Sequence, residues 1–560
     1  MSLLTNFPAG YQKPEPLNKS FDMTVRDWSR QQFGGDAIVE EIRKALSTGV
    51  GGLSPASAYP SGSGDASALR LENLDNTMTS VLATAEHLKI FRYLHKEPSK
   101  QPYYQWNRRD SYGSTRGFFG FAEGGLPNGG QGKWTRNGAY VKFLGTRGGV
   151  THPVVLTNIL GGMSMDPVAE DQLGRTMDFM QRVERAILHG DDNIKDNSRT
   201  DSNYDGLLKQ LTVKRHQNII DLKGAPLNLD SIANAATKLV TEGKLLSFQD
   251  LTLFMSPQNI EDMGKLRWQT LINAGTGAVS GAGTTVDRAD LTTSARENLI
   301  AGLSVVGQAT SFGVIPFEWS IFTEPVESGL PLDLAGGSAD AGAPDGTTSI
   351  VVATETATAS GFTTKGVDEG SSDTYVETGT NFPGAIKYWY AVSAVNDNGE
   401  SLMTIDTASP TGTWTATPAA NDSNGLGTQV KITITHTAGT KVATAFRIYR
   451  CASSGSTSPA KSNPNWRMVG YTHANSTGTG GVFLDRNGSQ NLYNNFMPDT
   501  NVAPLICRNP ADLVVAQMSP LLKMPLAPVS TTFEYLLLLY HTLVLKAPER
   551  QIIFKNVGKL

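Results

Sequence analysis

The clearest periodic pattern in the chain runs from Asp166 to Gly190, DPVAEDQLGRTMDFMQRVERAILHG. Asp166 can accept hydrogen bonds from the first free backbone amides, Pro167 suits the first helical position, and Gly190 predicts a left-handed stop. Apolar residues recur at helical spacing between these ends, which predicts a long amphipathic helix with one packed face. That face is expected to carry Leu173, Met177, Met180 and Ile187. At ~1.5 Å per residue the helix would span about 35 Å, roughly the width of a domain.

Two segments nearer the amino terminus have helical patterns of their own. One covers Asp36 to Leu46 and precedes a Gly/Ser/Pro linker at 49–64, so residues 1–65 are predicted to be an appendage on a flexible joint. The second runs from about Ala66 to Phe91 and is followed by an extended, aromatic-rich piece at 102–106.

From Arg116 to Asn158 the pattern changes to strand-like alternation. Two alternating segments, 117–122 and 139–144, flank a glycine-rich stretch at 123–132, which predicts a long hairpin that projects from the body. Because isolated hairpins are marginal in water, we expect it to rest on a neighbouring molecule. The alternative interpretation is a mobile surface loop.

Helices and strands alternate after the long helix. Asp230 is expected to cap a helix that ends at Gly243, with Ile232, Ala236 and Leu239 on its packed face. Apolar runs predict strands, and a Ser-Pro start at 256–257 predicts a further helix to about residue 267. The predicted strands are Leu251 to Met255, Gly313 to Phe322 and Tyr535 to Leu545. Together these elements predict an α+β body.

Residues 331–500 differ from the rest in being rich in Ser, Thr, Gly and Ala. Alternating segments around 386–396, 429–435, 445–450 and 466–471 predict an all-β module. The first segment and the turn after it, Tyr388 to Ser401, resemble the sixth strand of a fibronectin type III domain. An immunoglobulin-like sandwich is therefore expected, and its usual role is adhesion or display.

Composition narrows the functional classes. The 560 residues contain 48 Lys plus Arg against 52 Asp plus Glu, so no excess of positive charge favours nucleic-acid binding. Charged residues make up only 18%, which favours surfaces that meet other protein. The two cysteines, Cys451 and Cys507, are expected to be free thiols in a reducing compartment. The opening sequence has no basic region followed by an apolar run, and the longest apolar run is too short to span a bilayer. A cytoplasmic protein with no membrane contact is predicted.

One stretch partly matches a calcium-binding loop. Asp201, Asn203, Asp205 and Gly206 occupy its first, third, fifth and sixth places, but Thr212 stands where a bidentate Glu is required. Without that carboxylate the loop lacks its main anionic ligand, so we predict no metal site.

Other catalytic patterns are not found in the sequence. It has no phosphate-binding loop, no HExxH and no paired CxxC, and the glycine-rich stretch at 275–283 lacks the dinucleotide-binding spacing. Among the eight histidines, His152, His189 and His541 are interpreted as structural. We therefore predict no catalytic, cofactor-binding or metal-binding residues and no cofactor.

The carboxyl-terminal 43 residues carry the strongest resemblance to a known family. They contain LLKMPLA at 521–527, LYHTLVLKAPER at 539–550 and IFKNV at 553–557. With ALRLENLD at 68–75, YDGL at 204–207 and FRIYR at 446–450, these blocks resemble the major capsid proteins of large contractile-tailed bacteriophages. The resemblance extends over most of the chain from about Ala66 onward.

The resemblance implies the Hong Kong 97 capsid fold. On that fold, residues 1–65 would be the amino-terminal appendage, 66–115 the N-arm, 116–158 the E-loop hairpin and 159–330 the spine helix with the P- and A-domains. Residues 331–500 would be an insertion on the outer face, and residues 501–560 would return to the body. Some relatives join their subunits covalently through an E-loop lysine. Lys133 and Lys142 lie in the corresponding region, but nothing marks a catalytic acid for them, so noncovalent joining is expected.

The function implied is a structural protein that forms the hexamers and pentamers of an icosahedral phage head. It would assemble in the host cytoplasm, enclose double-stranded DNA without sequence-specific binding, and meet portal, scaffold or decoration proteins. The alternative is a surface adhesin or tail component that binds a receptor through the fibronectin-like module. A glycan hydrolase with a binding module is a third, weaker hypothesis, which would require paired carboxylates in a cleft.

Overall fold

In a computed structural model of the protein, these residues are described: 82–113, 120–126, 129–161, 166–196, 203–265, 291–293, 305–324, 330–335, 337–356, 362–365, 372–375, 382, 386–405, 415–416, 428–437, 439–452, 459–488, 492–527 and 531–560. The predicted appendage at 1–65, the motif at 68–75 and the glycine-rich stretch at 275–283 lie outside these ranges. Residues from 81 onward form one structural unit.

Six α-helices occur in the described ranges. They are α1 (Ile90–Tyr93), α2 (His152–Gly161), α3 (Pro167–His189), α4 (Leu207–Arg215), α5 (Leu229–Thr241) and α6 (257–265). In the part of the chain that is described, no helix is both long enough and apolar enough to cross a membrane.

Strands outnumber helices, so the chain is a mixed α+β protein built mostly of strands. The strands of the first half are β1 (Lys96–Pro98), β2 (Tyr103–Ser111), β3 (Lys133–Tyr140), β4 (Lys142–Thr151), β5 (Ile219–Asp221), β6 (Leu251–Met255), β7 (Leu291–Thr293), β8 (Val305–Thr310), β9 (Gly313–Trp319), β10 (Thr347–Thr356), β11 (Phe362–Lys365) and β12 (Ser372–Tyr375). Those of the second half are β13 (Ile386–Asn396), β14 (Gly399–Glu400), β15 (Thr404–Ile405), β16 (Thr415–Ala416), β17 (Thr428–Thr437), β18 (Ala445–Ala452), β19 (Arg467–His473), β20 (Gly480–Asp485), β21 (Asn501–Cys507), β22 (Leu513–Pro525), β23 (Thr532–Leu545) and β24 (Ile552–Val557).

The body contains two larger sheets and the long helix. Seven strands form a mixed sheet in the order β5-β24-β21-β6-β9-β8-β7, and α5 packs its apolar face on this sheet. Four strands form a second sheet in the order β1-β22-β23-β4. Helix α3 shares another apolar cluster with the buried side chains of β22 and β23, so α3 connects the parts of the body.

Helix α3 begins as predicted but ends differently. The Asp166 carboxylate accepts a hydrogen bond from the Val168 amide at 3.0 Å, and Pro167 is the first helical residue. Gly190 has φ −56°, which is not left-handed, so that part of the prediction is wrong. Glycine is required there for another reason: a Cβ would lie 2.5 Å from the carbonyl oxygens of Ala186 and Tyr204.

The predicted packed face of α3 is only half correct. Ile187 is buried and Met180 packs against the core, but Leu173 is 58% exposed. The covered half of the helix is its carboxyl-terminal half, where Phe179, Val183, Glu184 and Leu188 are also buried.

The predicted hairpin at 116–158 has different strands from those expected. Strand β2 pairs with β3, so that Tyr103 faces Tyr140, and the hairpin therefore starts before residue 116. Strand β4 does not belong to it, because β4 pairs with β23 in the body. Sequence alternation located strand-forming residues but not their partners, since β23 lies far along the chain.

Other predicted element ends shift slightly. Asn228, not Asp230, caps α5, and its side chain accepts a hydrogen bond from the Ser231 amide at 3.0 Å; both residue types suit that role. The predicted strand at 313–322 ends at Trp319. The helical pattern that extends to Phe91 gives only a 3-10 turn and the four-residue α1 in its described part.

In their described part, residues 347–485 form the small β11–β12 sheet and two larger sheets. One has the order β10-β17-β20, and the other has β14-β13-β18-β19 with β15 and β16 also paired to β13. The apolar residues that alternate along β13, β17 and β18 are buried in one cluster to which both larger sheets contribute: Tyr388, Tyr390, Val392, Ala394, Val430, Ile432, Ile434, Phe446 and Ile448. We call residues 347–485 the two-sheet module. The chain leaves the body before this module and returns to the body after it at one place, because the Val502 amide donates a hydrogen bond to the Thr323 carbonyl at 3.3 Å.

Candidate functional surfaces

One face of the β2–β3 hairpin lies on the body. Tyr104, Trp106 and Ala139 pack against Val514, Ala516 and Val544 of the β22–β23 pair. Polar contacts hold this face at both ends. The Tyr104 hydroxyl donates to the Glu97 carboxylate at 2.8 Å, and Arg108 pairs with Glu549 at 2.6 Å. The hairpin is therefore docked along one side of its own subunit.

The opposite face of the hairpin is exposed and aromatic. The rings of Tyr103 and Tyr140 lie 4.6 Å apart, and the Arg109 guanidinium lies 3.9 Å from the centre of the Trp134 ring. Trp134 is 61% exposed and Tyr140 is 66% exposed. Aromatic and arginine side chains that are held rigidly in this way are characteristic of protein interfaces.

The β22–β23–β4 sheet also has an uncovered region. The hairpin covers Val544 near the carboxyl-terminal end of β23. Toward the amino-terminal end of β23, nothing in the described chain covers the same face of the sheet. We call this region the open sheet face. Its residues are Phe143, Leu522, Met524, Leu536, Leu538 and Tyr540.

Apolar side chains of the open sheet face are arranged in register across the strands. Leu522 pairs with Leu538 and Met524 with Leu536, while Phe143 makes an edge contact with Tyr540 at 4.9 Å. Phe143, Leu522 and Met524 are 59%, 47% and 42% exposed. Strand β1 pairs only with residues 515–517 of β22, so in the described chain residues 518–525 have no strand along that edge. An open edge beside exposed apolar residues is a site for association with another chain.

The amino-terminal half of α3 adds to these uncovered surfaces. Leu173 of α3 and Val154 and Leu156 of α2 are all more than 40% exposed. The opposite face of β23 does contact this helix, because the Tyr535 hydroxyl donates to Asp171 at 2.7 Å.

The partial calcium-loop match does not form a loop of that type. Asp201 lies outside the described residues, and Thr212 is part of α4, where its hydroxyl donates to the Leu208 carbonyl. Asp191, Asp192 and Asp205 come together as carboxylates that would suit a cation. The ammonium of Lys209 fills this position: it lies 2.7 Å from Asp191 and 2.8 Å from Asp205, and it also contacts Asp192.

Lys209 remains charged in this cluster. Burial alone would lower the pKa of Lys209, but the carboxylates of Asp191 and Asp205 outweigh it and hold the pKa above its ordinary value. The cluster also reaches the segment after the two-sheet module, because the Tyr493 hydroxyl donates to Asp191 at 3.0 Å.

The two-sheet module is fixed to the carboxyl-terminal end of α3 by further contacts. The Tyr471 hydroxyl of the module donates to the His189 carbonyl at 3.2 Å. In the segment that follows the module, Phe496 joins the core cluster around α3. The backbone amide of Met497 donates to Asn556 of β24 at 3.1 Å. The module is thus attached to the body by side chains as well as by its two connections.

The remaining candidates from the sequence lie apart from one another. The two ring nitrogens of His189 are buried, and this burial lowers the pKa of His189 to about 4; burial lowers the pKa of His541 to the same value. Cys451 and Cys507 are buried free thiols, in the module and the body respectively. Lys133 begins β3 and Lys142 begins β4.

Several residues that define these surfaces were not singled out from the sequence. Trp134 and Arg109 were missed because their pairing depends on the β2–β3 register. Lys209 was missed, although its position four residues after Asp205 is a local signal for an ion pair. Glu184 was not distinguished from the other charged residues of α3, since only tertiary packing buries it.

No protein-family model matches the sequence, and no curated protein matches it. Several solved structures are similar at low identity. The capsid of Myoviridae phage XM1 is 8% identical with a TM-score of 0.37, and the match covers 89% of this chain and 99% of that one. The capsid of cyanophage P-SCSP1u is 8% identical with a TM-score of 0.36, covering 88% and 95%. The SrpI encapsulin of Synechococcus elongatus PCC 7942 is 10% identical with a TM-score of 0.31, covering 88% and 94%.

Proposed function

We propose that the chain is a structural protein that assembles with copies of itself into a shell, and specifically that it is the major capsid protein of a contractile-tailed bacteriophage. It would form the hexamers and pentamers of an icosahedral head that encloses double-stranded DNA. The protein itself would have no catalytic step, cofactor or resident metal.

The observation that carries this proposal is the uncovered apolar surface on ordered elements. A single subunit leaves the open sheet face and the aromatic hairpin face in contact with water. Exposed apolar patches of this kind on soluble proteins mark sites of association. Since stable interfaces bury about 1,200–2,000 Å² in total, two such surfaces on one subunit suit an assembly in which each copy meets several others.

The capsid sequence blocks at the carboxyl terminus lie beside these surfaces. LLKMPLA at 521–527 contains Leu522 and Met524, and LYHTLVLKAPER at 539–550 begins at the end of the open sheet face. The block at 521–527 that resembles phage capsid proteins therefore also carries uncovered apolar side chains.

The capsid domains would then correspond to elements as follows. Helix α3 would be the spine helix, the β2–β3 hairpin would be the E-loop, and residues 82–98 would belong to the N-arm. The two larger sheets would form the P- and A-domains. The two-sheet module would be an inserted immunoglobulin-like sandwich displayed on the outer face, which the adjacent positions of Thr323 and Val502 support.

Assembly can be tested with the full-length chain by electron microscopy and sedimentation. The proposal expects shells, sheets or capsomers from the wild-type protein. The double variant L522E/M524E places two charges on the open sheet face and is expected to lose assembly. Its melting temperature should stay close to that of the wild type, because both side chains are exposed in the single subunit. A purely monomeric or trimeric wild-type protein would contradict the proposal and favour the adhesin alternative.

Leu246 provides a matched control because it is fully exposed and lies outside both surfaces. L246E should assemble normally. If L246E and L522E/M524E impaired assembly equally, the open sheet face would have no specific role.

Denaturing electrophoresis of assembled particles tests whether subunits are joined covalently. Noncovalent joining predicts one band near 60.0 kDa, and a ladder of larger bands would indicate cross-links.

A further inference from the structure

The first described segment of the chain is anchored by a short buried stretch. Ile90, Phe91 and Leu94 are 0%, 8% and 3% exposed and belong to the apolar cluster around α3. On either side of this stretch the segment lies at the surface, where Lys89 pairs with Glu318 at 2.9 Å. We call residues 82–98 the arm.

A buried carboxyl of α3 meets the arm at this stretch. Glu184 is 0% exposed, and its two oxygens accept hydrogen bonds from the backbone amides of Ile90 at 2.6 Å and Phe91 at 2.8 Å. These amides open α1, where backbone donors have no partner within the helix. Lys89, which precedes α1, provides no capping side chain. A residue 94 positions away from Ile90 therefore supplies the cap.

Few charged groups face Glu184. Lys96 is the nearest cation in electrostatic terms, and Arg92 lies beside Lys96 on the same arm. On the side of the body, Tyr204 faces Glu184, and its hydroxyl contacts His541 Nε2 at 3.1 Å. In the described chain Glu184 makes no salt bridge, so its charge is balanced by the backbone amides of residues 89–91 and not by a paired cation.

We propose that Glu184 is a proton-controlled latch for the arm, which holds residues 88–94 tightly when its carboxyl is protonated and more loosely when it is ionised. Both carboxyl oxygens can accept the two amide hydrogen bonds in either state, so protonation changes the energy of the buried contact and not its pattern. The latch operates within one chain and does not depend on assembly.

The direction of the pH dependence follows from the burial of the Glu184 carboxyl. Burial raises the pKa of Glu184 to about 7, whereas a solvated Glu has a pKa of about 4.3. The closed arm therefore binds the proton more tightly than the released arm. Closure is strongest at low pH, weakens as the pH rises between these two values, and is constant above about 7 because both states are then ionised.

Tyr204 and His541, which neighbour Glu184, do not titrate in this pH range. Burial raises the pKa of Tyr204 above its ordinary value, and burial lowers the pKa of His541 to about 4. Burial also lowers the pKa of Lys96. A variant of Glu184 is therefore needed to distinguish the effect of Glu184 on the arm from that of Lys96.

Hydrogen exchange of the full-length chain, measured by mass spectrometry between pH 5 and 8 and corrected for intrinsic exchange, tests the latch. In the wild type, protection of a peptide covering residues 88–94 should fall by about tenfold for each pH unit between pH 5 and 7 and then level off. In E184Q the same peptide should have pH-independent protection, because the amide does not titrate. A peptide from α5 serves as the internal control and should not change with pH.

Three results would overturn the proposal. Constant protection of residues 88–94 in the wild type would show that Glu184 does not control the arm. An equal slope in E184Q would assign the pH dependence to another group, such as Lys96. Loss of the pH dependence in D178N, which alters an exposed carboxylate of the same helix but keeps Glu184, would indicate a general charge effect. If E184Q does not fold, the wild-type profile compared with the α5 peptide decides the first point.

Discussion

Replacing Lys209 with Met is the most direct test of how the carboxyl-terminal end of α3 is held. The variant K209M keeps the length of the side chain but removes the ammonium from among Asp191, Asp192 and Asp205. The Asp191 side chain is only 1% exposed, whereas those of Asp192 and Asp205 are 45% and 32% exposed. Breaking a buried ion pair costs about 3–5 kcal/mol, and because two of the carboxylates reach solvent we expect the lower value, about 3 kcal/mol.

The free energy of unfolding can be measured by urea titration with and without calcium. In K209M the three carboxylates form an empty cage, which resembles a weak calcium site with a Kd of about 10⁻⁴–10⁻³ M. With about 10 mM calcium, mass action should restore on the order of 1–3 kcal/mol to the variant and nothing to the wild type.

Lys265 provides a matched control, because it pairs with Asp262 at 3.0 Å but is 47% exposed. K265M should lose less than about 1 kcal/mol. The reasoning is refuted if K209M is no less stable than K265M. It is also refuted if calcium stabilises the wild type as much as the variant, since the ammonium would then not occupy the cation position.

Three smaller predictions concern glycines and thiols. G190A should lower the free energy of unfolding by about 1–3 kcal/mol because its Cβ would lie 2.5 Å from two carbonyl oxygens, as thermal unfolding can show. G174A in the same helix should instead gain about 1 kcal/mol, since nothing lies within 4 Å of its Cβ; equal effects of the two variants would contradict the geometry. Burial raises the pKa of Cys507 to about 12 and also raises that of Cys451, so neither thiol should react with a thiol reagent at pH 8 until urea unfolds the chain.

The elements that sequence analysis located best are those whose ends or faces are determined locally. The start of α3 depends on Asp166 and Pro167, which lie beside each other in the sequence. The inward residues of β13 and β17 follow from alternation alone. Such patterns report which residues are buried within an element, and they do so without information about its partners.

Tertiary partners explain most of the errors. Strand β4 was assigned to a hairpin because its partner β23 is encoded almost 400 residues later, and local alternation does not identify the pairing. Gly190 was expected to turn the chain, but the approach of the Tyr204 backbone is what requires glycine. Leu173 lies on the apolar stripe as predicted, yet this subunit does not cover it.

The candidate surfaces were predictable in kind but not in position. The sequence indicated a projecting hairpin without a core, and the structure adds that one of its faces is docked on the body while the other is exposed. Alternation cannot distinguish an apolar face covered by the same chain from one left for another molecule. The role of Glu184 depends on the arm folding over α3, which no pattern within the helix reveals.

The hydrogen bond between Val502 and Thr323 has a consequence for how such proteins diversify. When a chain departs and re-enters at a single point, the intervening residues can be exchanged for a short turn without shifting the register of the strands on either side. Among the described residues, this exchange would remove Phe496, Tyr471 and Tyr493 from the apolar cluster around α3. The body would therefore keep its own strand pairing whichever segment is inserted between these two residues.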